Sequence, residues 1–164
     1  MNIKNARVMT NKFFPEESVT ENDLYFVCYM IERVARKLHQ HNRYVVNALG
    51  YDELYRQLSL ASVLHSDNPE RVENDWITDN HLEPGNFDIT AVRAELNIRV
   101  PSATQMGKVY KRLILSTLTK DEDWIQALIR VYSSPFCDIL DNYNCSAYYE
   151  PSPIITRAYL NGGF

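Results

Sequence analysis

Glycine, proline and cysteine are all scarce in this sequence, and it has no long apolar run. Five glycines and seven prolines in 164 residues leave little room for low-complexity disorder. The longest apolar runs, such as residues 25–31, fall far short of the roughly 20 residues that a membrane-spanning helix needs. The three cysteines, Cys28, Cys137 and Cys145, form no CxxC pair, so neither redox chemistry nor zinc binding is indicated and we predict free thiols.

The remaining composition is that of an ordinary globular protein. Hydrophobic residues at 45% and charged residues at 23% indicate one domain that folds without disulfide bonds. Residues 1–10 lack the apolar stretch of a secretory signal, so we expect a cytoplasmic protein. A net charge of −4 gives no general attraction to nucleic acid, which is therefore a disfavoured partner. One local basic cluster runs against this trend, and it consists of Arg33, Arg36, Lys37 and Arg43.

Helical periodicity begins at Thr20, which has the spacing of a capping box with Asp23. The apolar residues that follow recur at helical spacing and predict one buried stripe on a helix of about five turns. They are Leu24, Val27, Cys28, Ile31, Val34, Ala35 and Leu38. Asn42 is predicted to cap a short helix that ends at Gly50, and Asp52 is predicted to cap the next helix.

Further helix boundaries follow from capping residues and prolines. Asn68, directly before a proline, and Ser102 both have side chains suited to a helix N-cap. The acidic run 121–123 favours a helix start through the helix dipole, and Pro135 predicts a break in that helix. Gly107 lies inside an apolar helical pattern, which indicates close packing of the backbone at that position.

These patterns together predict an all-α protein, a single domain of about six to eight orthogonally packed helices. Division into two helical sub-domains remains open, because Pro84 and Gly85 mark a loop near the middle of the chain. Phe13 and Phe14 are expected to dock the N-terminal segment onto the domain. The predicted units are an N-terminal arm (1–17), a helical sub-domain (18–80), a loop (81–88) and a second helical sub-domain with a tyrosine-rich C-terminal segment (89–164).

Residues 20–80 resemble a small family of uncharacterised bacterial helical proteins. In that family an aromatic-rich first helix is followed by a Leu-His-Ser/Thr element and then by an Asp-Ile pair. The corresponding residues here are Leu64-His65-Ser66 and Asn74-Asp75-Trp76-Ile77, with Trp76 between the acid and the isoleucine. Members are often encoded beside toxin-like proteins of the ADP-ribosyltransferase type. The resemblance therefore implies a bacterial accessory protein, antitoxin-like or regulatory, and it implies no chemistry.

One pattern points to catalysis. Arg36 and His41 fit the Arg-x4-His spacing of the helical ribonuclease domains called HEPN. In such a site the arginine would bind the scissile phosphate and the histidine would serve as general acid or base. That family usually has a polar Asn, Asp or His after the arginine, whereas this chain has Lys37. Solvated residues at the end of an amphipathic helix give the same pattern, so a metal-independent HEPN-type ribonuclease is the alternative hypothesis.

Metal and cofactor chemistry has little support in the sequence. The acids and histidines between residues 65 and 83 have no diagnostic spacing and are typical of the solvated side of a helix. They are His65, Asp67, Glu73, Asp75, Asp79, His81 and Glu83. The chain also has no glycine-rich phosphate loop and no glycine-flanked serine. We therefore predict no metal and no cofactor, and catalysis is the less favoured interpretation.

Tyrosine is concentrated in the last third of the chain. Tyrosine is enriched in protein interfaces because it joins a large apolar ring to a polar tip. The residues predicted to bind a partner are Tyr143, Tyr148, Tyr149 and Tyr159. The favoured function is therefore a non-catalytic interaction or regulatory module, whose partner is another protein or a second copy of the chain.

Overall fold

The structure, a computed structural model, describes residues 9–96 and 98–164. Within these residues it contains seven α-helices, two short 3₁₀ helices and no β-strand, which confirms the all-α prediction. The first eight residues of the predicted N-terminal arm lie outside the described part. The α-helices are α1 (Glu21–Leu38), α2 (Asn42–Leu64), α3 (Pro69–Asp79), α4 (Ala103–Ser116), α5 (Trp124–Ser133), α6 (Phe136–Leu140) and α7 (Ser152–Asn161); the 3₁₀ helices are Ala94–Leu96 and Ala147–Tyr149.

The first helix, α1, lies at the centre of the fold and contacts α2, α3 and α4. Its start is the predicted capping box: the Thr20 side chain accepts a hydrogen bond from the backbone N–H of Asp23, and the Asp23 carboxylate accepts one from the N–H of Thr20. Every residue of the predicted apolar stripe is buried. The stripe is therefore a core element, as its continuous apolar face predicts.

The second helix, α2, is interrupted at Gly50, where φ is 75° and ψ is 178°. A positive φ is accessible to glycine at no steric cost, so the predicted helix boundary at Gly50 is confirmed. The prediction that Asn42 caps this helix is wrong. His41 holds the N-cap position without a side-chain hydrogen bond, and Asn42 is the first helical residue. The Asn42 side chain points inward instead, because its amide donates hydrogen bonds to the buried carboxylate of Glu32 and to the half-buried carboxylate of Asp141.

Helix α4 packs closely on α1 at Gly107. A Cβ atom at this position would lie 3.0 Å from the backbone nitrogen of Tyr29 and 3.1 Å from its Cα atom. Real Cβ atoms rarely come so close to backbone, so the predicted close approach is confirmed. Only a residue without a side chain lets the two helices meet at this distance.

The remaining helix starts follow from local capping. The side chains of Asn68 and Ser102 accept hydrogen bonds from backbone N–H groups in α3 and α4, as predicted. Asp123, at the end of the acidic run, forms a capping box with Gln126 at the start of α5. The chain restarts as α6 directly after Pro135, as the proline predicts.

All seven helices contribute side chains to one continuous apolar core. Helix α1 lies against α4, and α2 lies against α5. Segments from both sides of residues 81–88 therefore share that core. Of the helices that the structure describes, none is both long and apolar enough to cross a membrane.

The N-terminal segment docks differently from the prediction. Phe13 and Phe14 are exposed, whereas Met9 and Val19 are buried. The reason lies in Asn11, whose side-chain oxygen accepts hydrogen bonds from the N–H groups of both phenylalanines and closes a tight turn. That turn directs the two rings away from the core, so the predicted docking of Phe13 and Phe14 is wrong.

Candidate functional site

A buried acid, Glu32, is the centre of a polar network inside the fold. Glu32 is in the middle of α1 and only 1% exposed. Its Oε1 atom accepts hydrogen bonds from Nε and Nη2 of Arg36, at 3.1 Å and 2.9 Å. Arg36 also donates to the carbonyl oxygen of Pro101, at 2.8 Å. The Tyr143 hydroxyl donates to the same Glu32 oxygen. The carboxylate is therefore charge-paired and hydrogen-bonded, as a buried acid must be.

A second carboxylate, Asp141, joins this network through Asn42. The Asn42 Nδ2 group donates to Oε2 of Glu32 at 2.8 Å and to Oδ2 of Asp141 at 3.1 Å. The Tyr110 hydroxyl donates to Oδ1 of Asp141 at 2.5 Å. These residues come from α1, α2, α4 and the segment after α6. Side chains distant in sequence thus hold two carboxylates on either side of one amide group.

The enclosure of Asp141, which is itself half-buried, and the nearby carboxylate of Glu32 shift the pKa of Asp141. Burial, and after it the charge of Glu32, raise the pKa of Asp141 to about 8. Burial also raises the pKa of the Tyr110 and Tyr143 hydroxyls well above their usual range, so both act as hydrogen-bond donors. A carboxyl group with a pKa near neutral pH in the wall of a cleft is a recognised mark of a functional site.

Asp141 and Tyr143 border a cleft of about 330 Å³ at the protein surface, which we call the His41 cleft. One side is the segment 87–91 and the other is the segment 138–144, with His41 between them. The rings of His41 and Phe87 are stacked, with centroids 3.7 Å apart and an interplanar angle of 14°. The lining residues are His41, Phe87, Asp88, Ile89, Ala91, Asp138, Asp141, Asn142, Tyr143 and Asn144.

The two residues of the ribonuclease hypothesis border different clefts. His41 borders the His41 cleft, whereas Arg36 borders an open groove with Arg33, Lys37 and Glu73. Arg36 is bound to Glu32, and although burial acts to lower its pKa, the Glu32 charge raises it. Burial and the nearby Arg43 lower the pKa of His41, so the imidazole is neutral at pH 7.

All four cations of the predicted basic cluster pair with acidic side chains, although there are only three of these acids. Arg33 and Lys37 on α1 both pair with Glu73 on α3. Arg36 pairs with Glu32, and Arg43 pairs with Asp138. A phosphate backbone would have to compete with these four pairings, which weakens the cluster as a nucleic-acid surface.

The four tyrosines predicted to bind a partner have different environments. Tyr143 is buried in the polar network. Tyr159 is partly buried, and its hydroxyl oxygen accepts a hydrogen bond from Arg130 at 2.8 Å. Tyr148 is also partly buried and donates to the backbone oxygen of Arg99 at 3.3 Å. Tyr149 alone of the four is exposed, at 76%.

Tyr149 is one of four large apolar side chains that are exposed within residues 149–164, and we call this set the C-terminal apolar surface. Its other members are Ile154 at 38% exposure, Leu160 at 67% and Phe164 at 62%. The opposite face of α7 is buried through Ile155 and Ala158. The core therefore covers one face of α7, while Ile154 and Leu160 are exposed with the exposed Arg157 between them.

The predicted acidic and histidine residues do not converge. Over residues 9–96 and 98–164, no group of three or more His, Cys, Asp or Glu side chains is placed to hold a metal ion. Glu73 pairs with Arg33 and Lys37, and it is buried by them. Three free thiols, at Cys28, Cys137 and Cys145, agree with the predicted absence of disulfides.

Sequence reasoning missed the residues on which the network depends, Glu32, Asn42 and Asp141. One indication was available, because Glu32 follows Cys28 by four residues and therefore lies on the apolar face of α1. An acid on such a face needs buried partners.

The chain matches no protein-family model, and no similar protein was found among curated proteins or solved structures.

Proposed function

We propose that this chain is a non-catalytic regulatory module that binds another protein through the C-terminal apolar surface. The observation that carries the proposal is the exposure of Tyr149, Ile154, Leu160 and Phe164 together. Large apolar side chains exposed in one region of a chain are typical of surfaces that bind another protein, because exposed apolar area is costly in water.

The charges around this surface indicate the chemistry of the partner. Arg157 lies one helical turn from both Ile154 and Leu160 on the same face of α7. Arg112 borders the base of α7 near Ile155. Glu150 borders the same groove as Arg112, so charges of both signs lie there, and Arg157 is the cation on the exposed face of α7 itself. A partner with an apolar patch and an acidic side chain opposite Arg157 fits this arrangement. The resemblance of residues 20–80 to proteins encoded beside toxins supports a bacterial protein with a toxin as that partner.

The ribonuclease alternative is less well supported. To bind phosphate, Arg36 would have to leave Glu32, which is buried beneath it. Leaving a buried carboxylate without its cation costs about 3–5 kcal/mol. The pairing of Arg36 with Glu32 therefore supports the non-catalytic proposal over the ribonuclease alternative.

The proposal is tested with three versions of the chain, each used as bait to capture a partner protein. The first is the unchanged chain, and the second carries Ile154→Asp and Leu160→Asp on the C-terminal apolar surface. A third bait with Val63→Asp is the matched control, since Val63 is an exposed apolar residue at 58% on α2. A protein retained by the first and third baits is then purified and titrated against each by calorimetry.

We expect the surface variant to bind the purified partner about a hundredfold more weakly, because two apolar contacts are lost and two charges are buried. The Val63→Asp variant should bind as the unchanged chain does. Equal affinity of all three proteins would show that the partner binds elsewhere and that the proposal is wrong. Light scattering of the chain alone adds a second check. If the unchanged chain is a dimer and the surface variant is a monomer, the surface mediates self-association and not the binding of another protein.

A further inference from the structure

A second and separate function is indicated by the His41 cleft. We infer that this cleft binds a small organic cation that carries a flat ring, such as an aryl amidine or an aryl ammonium compound. The inference does not depend on the proposed protein partner, because the cleft is lined by residues 87–91 and 138–144 and the C-terminal apolar surface by residues 149–164. A volume of about 330 Å³ lies within the usual range of small-molecule sites.

The charge of the lining selects for a cation. Three carboxylates border the cleft, and no lysine or arginine is among the lining residues. Asp138 is neutralised by Arg43. Asp88 accepts hydrogen bonds from the backbone and hydroxyl of Thr90, which lower its pKa. Asp88 is therefore ionised at neutral pH. Asp141, whose pKa is raised to about 8, adds a second negative charge as the pH rises through that value. The cleft is therefore negative in balance, through Asp88 at neutral pH and through both acids at pH 9.

The aromatic wall selects for a flat ring. His41 and Phe87 are stacked, and both border the cleft. Because the His41 imidazole is neutral at pH 7, it does not repel a cation. Stacked neutral rings provide an apolar surface on which a planar group packs, and a cation near an aromatic face gains further attraction.

The remaining wall is fixed before any ligand arrives. The Asn142 side-chain oxygen accepts a hydrogen bond from the backbone N–H of Asn144, at 3.1 Å. The Asn144 side-chain oxygen accepts one from the backbone N–H of Arg93, at 2.8 Å. Asp141 is held at both carboxylate oxygens by Asn42 and Tyr110. A preformed wall lowers the ordering cost of binding.

Asp141 makes the binding dependent on pH. A cation beside this carboxyl group favours its ionised form, so binding releases a proton when Asp141 is protonated beforehand. Burial and Glu32 raise the pKa of Asp141 to about 8, so affinity should rise with pH from about 6 to about 9. The titratable groups that face Asp141 are Glu32 from α1, Arg43 from α2, Tyr110 from α4, Tyr132 from α5, Cys137 from α6 and Tyr143.

The test uses benzamidine as the cationic probe, with benzamide as its neutral isostere and benzoate as its anionic counterpart. Each compound is titrated into the intact chain by calorimetry, in two buffers of different ionisation enthalpy so that proton release is measured. The variants are Asp88→Asn and Asp141→Asn, and the matched control is Asp121→Asn, an exposed acid outside the cleft. Circular dichroism establishes that each variant is folded.

We expect benzamidine to bind with a Kd of about 1 mM or tighter and benzamide to bind about tenfold more weakly. At pH 9, above the pKa of Asp141, Asp88→Asn and Asp141→Asn should each lower the affinity for benzamidine about tenfold, with Asp121→Asn unchanged. At pH 7 Asp141→Asn should abolish the proton release that accompanies binding. Equal binding of benzamidine and benzamide, no binding of either, or an equal loss in the Asp121→Asn control would overturn the inference. If Asp141→Asn fails to fold, the exposed Asp88→Asn variant decides the question alone.

Discussion

Replacing Asn42 with leucine tests whether the buried network stabilises the fold. Asn42→Leu keeps the approximate volume of the side chain but removes the amide that donates to Glu32 and Asp141. Hydrogen bonds to charged groups contribute about 1.5–3 kcal/mol each, so two are worth about 3–6 kcal/mol. Burial of the leucine side chain returns roughly 1–2 kcal/mol. The expected net loss in the free energy of unfolding is therefore about 2–4 kcal/mol.

The measurement is urea denaturation at pH 9, above the pKa of Asp141, so that the Asn42 amide bonds to an ionised carboxylate there; circular dichroism follows the unfolding. With an m-value of about 2 kcal/mol/M, the expected loss lowers the midpoint by roughly 1–2 M. Asn47→Leu is the matched control, because the Asn47 amide donates to the Arg43 backbone oxygen on the exposed side of the same helix. Its free energy of unfolding should change by less than about 0.5 kcal/mol. A loss below about 1 kcal/mol for Asn42→Leu would falsify the view that one amide holds two carboxylates together.

Three further predictions concern the same fold. The pKa of Asp141 is raised in the folded state, so its contribution to the free energy of unfolding is complete below about pH 4 and is lost as pH rises through about 8. The urea midpoint should therefore fall over this pH range, and the fall should be smaller in an Asp141→Asn variant. Gly107→Ala should lower the free energy of unfolding by about 1–2 kcal/mol, because crowding against Tyr29 outweighs the roughly 1 kcal/mol gain in helix propensity, and a rise would refute the close packing. The purified chain should leave generic RNA intact, and cleavage that disappears in a His41→Ala variant would instead establish the ribonuclease.

Local features of the fold could be predicted from the sequence because their causes are local. The capping box of Thr20 and Asp23 involves residues three apart, and the break at Gly50 reflects the backbone freedom of one residue. Gly107 was informative because an apolar helical pattern rarely includes a glycine without a packing reason. Each of these inferences needs only a few neighbouring residues, so each holds without knowledge of the tertiary structure.

The site could not be predicted in the same way, because it depends on pairing across the chain. Asn42 looks like a helix cap in the sequence, but it bonds to Asp141, which is 99 residues away. Tyr143 and Tyr149 are the same residue type and lie close in sequence, yet Tyr143 is buried and Tyr149 is 76% exposed. What decides their roles is the packing of the segment after α6, and no local pattern encodes that packing.

The span of the network also bears on how the chain folds during synthesis. When residues 20–80 have left the ribosome, Glu32 and Asn42 are already present, but Tyr110, Asp141 and Tyr143 are not yet made. Helix α4, which covers α1, is also still missing. The nascent N-terminal half therefore carries a carboxylate that it can bury only in part, and an uncovered apolar face beside it. We therefore expect cooperative folding only after the last quarter of the chain has been synthesised. A protease added to ribosome-bound chains that end before Asp141 should still digest α1.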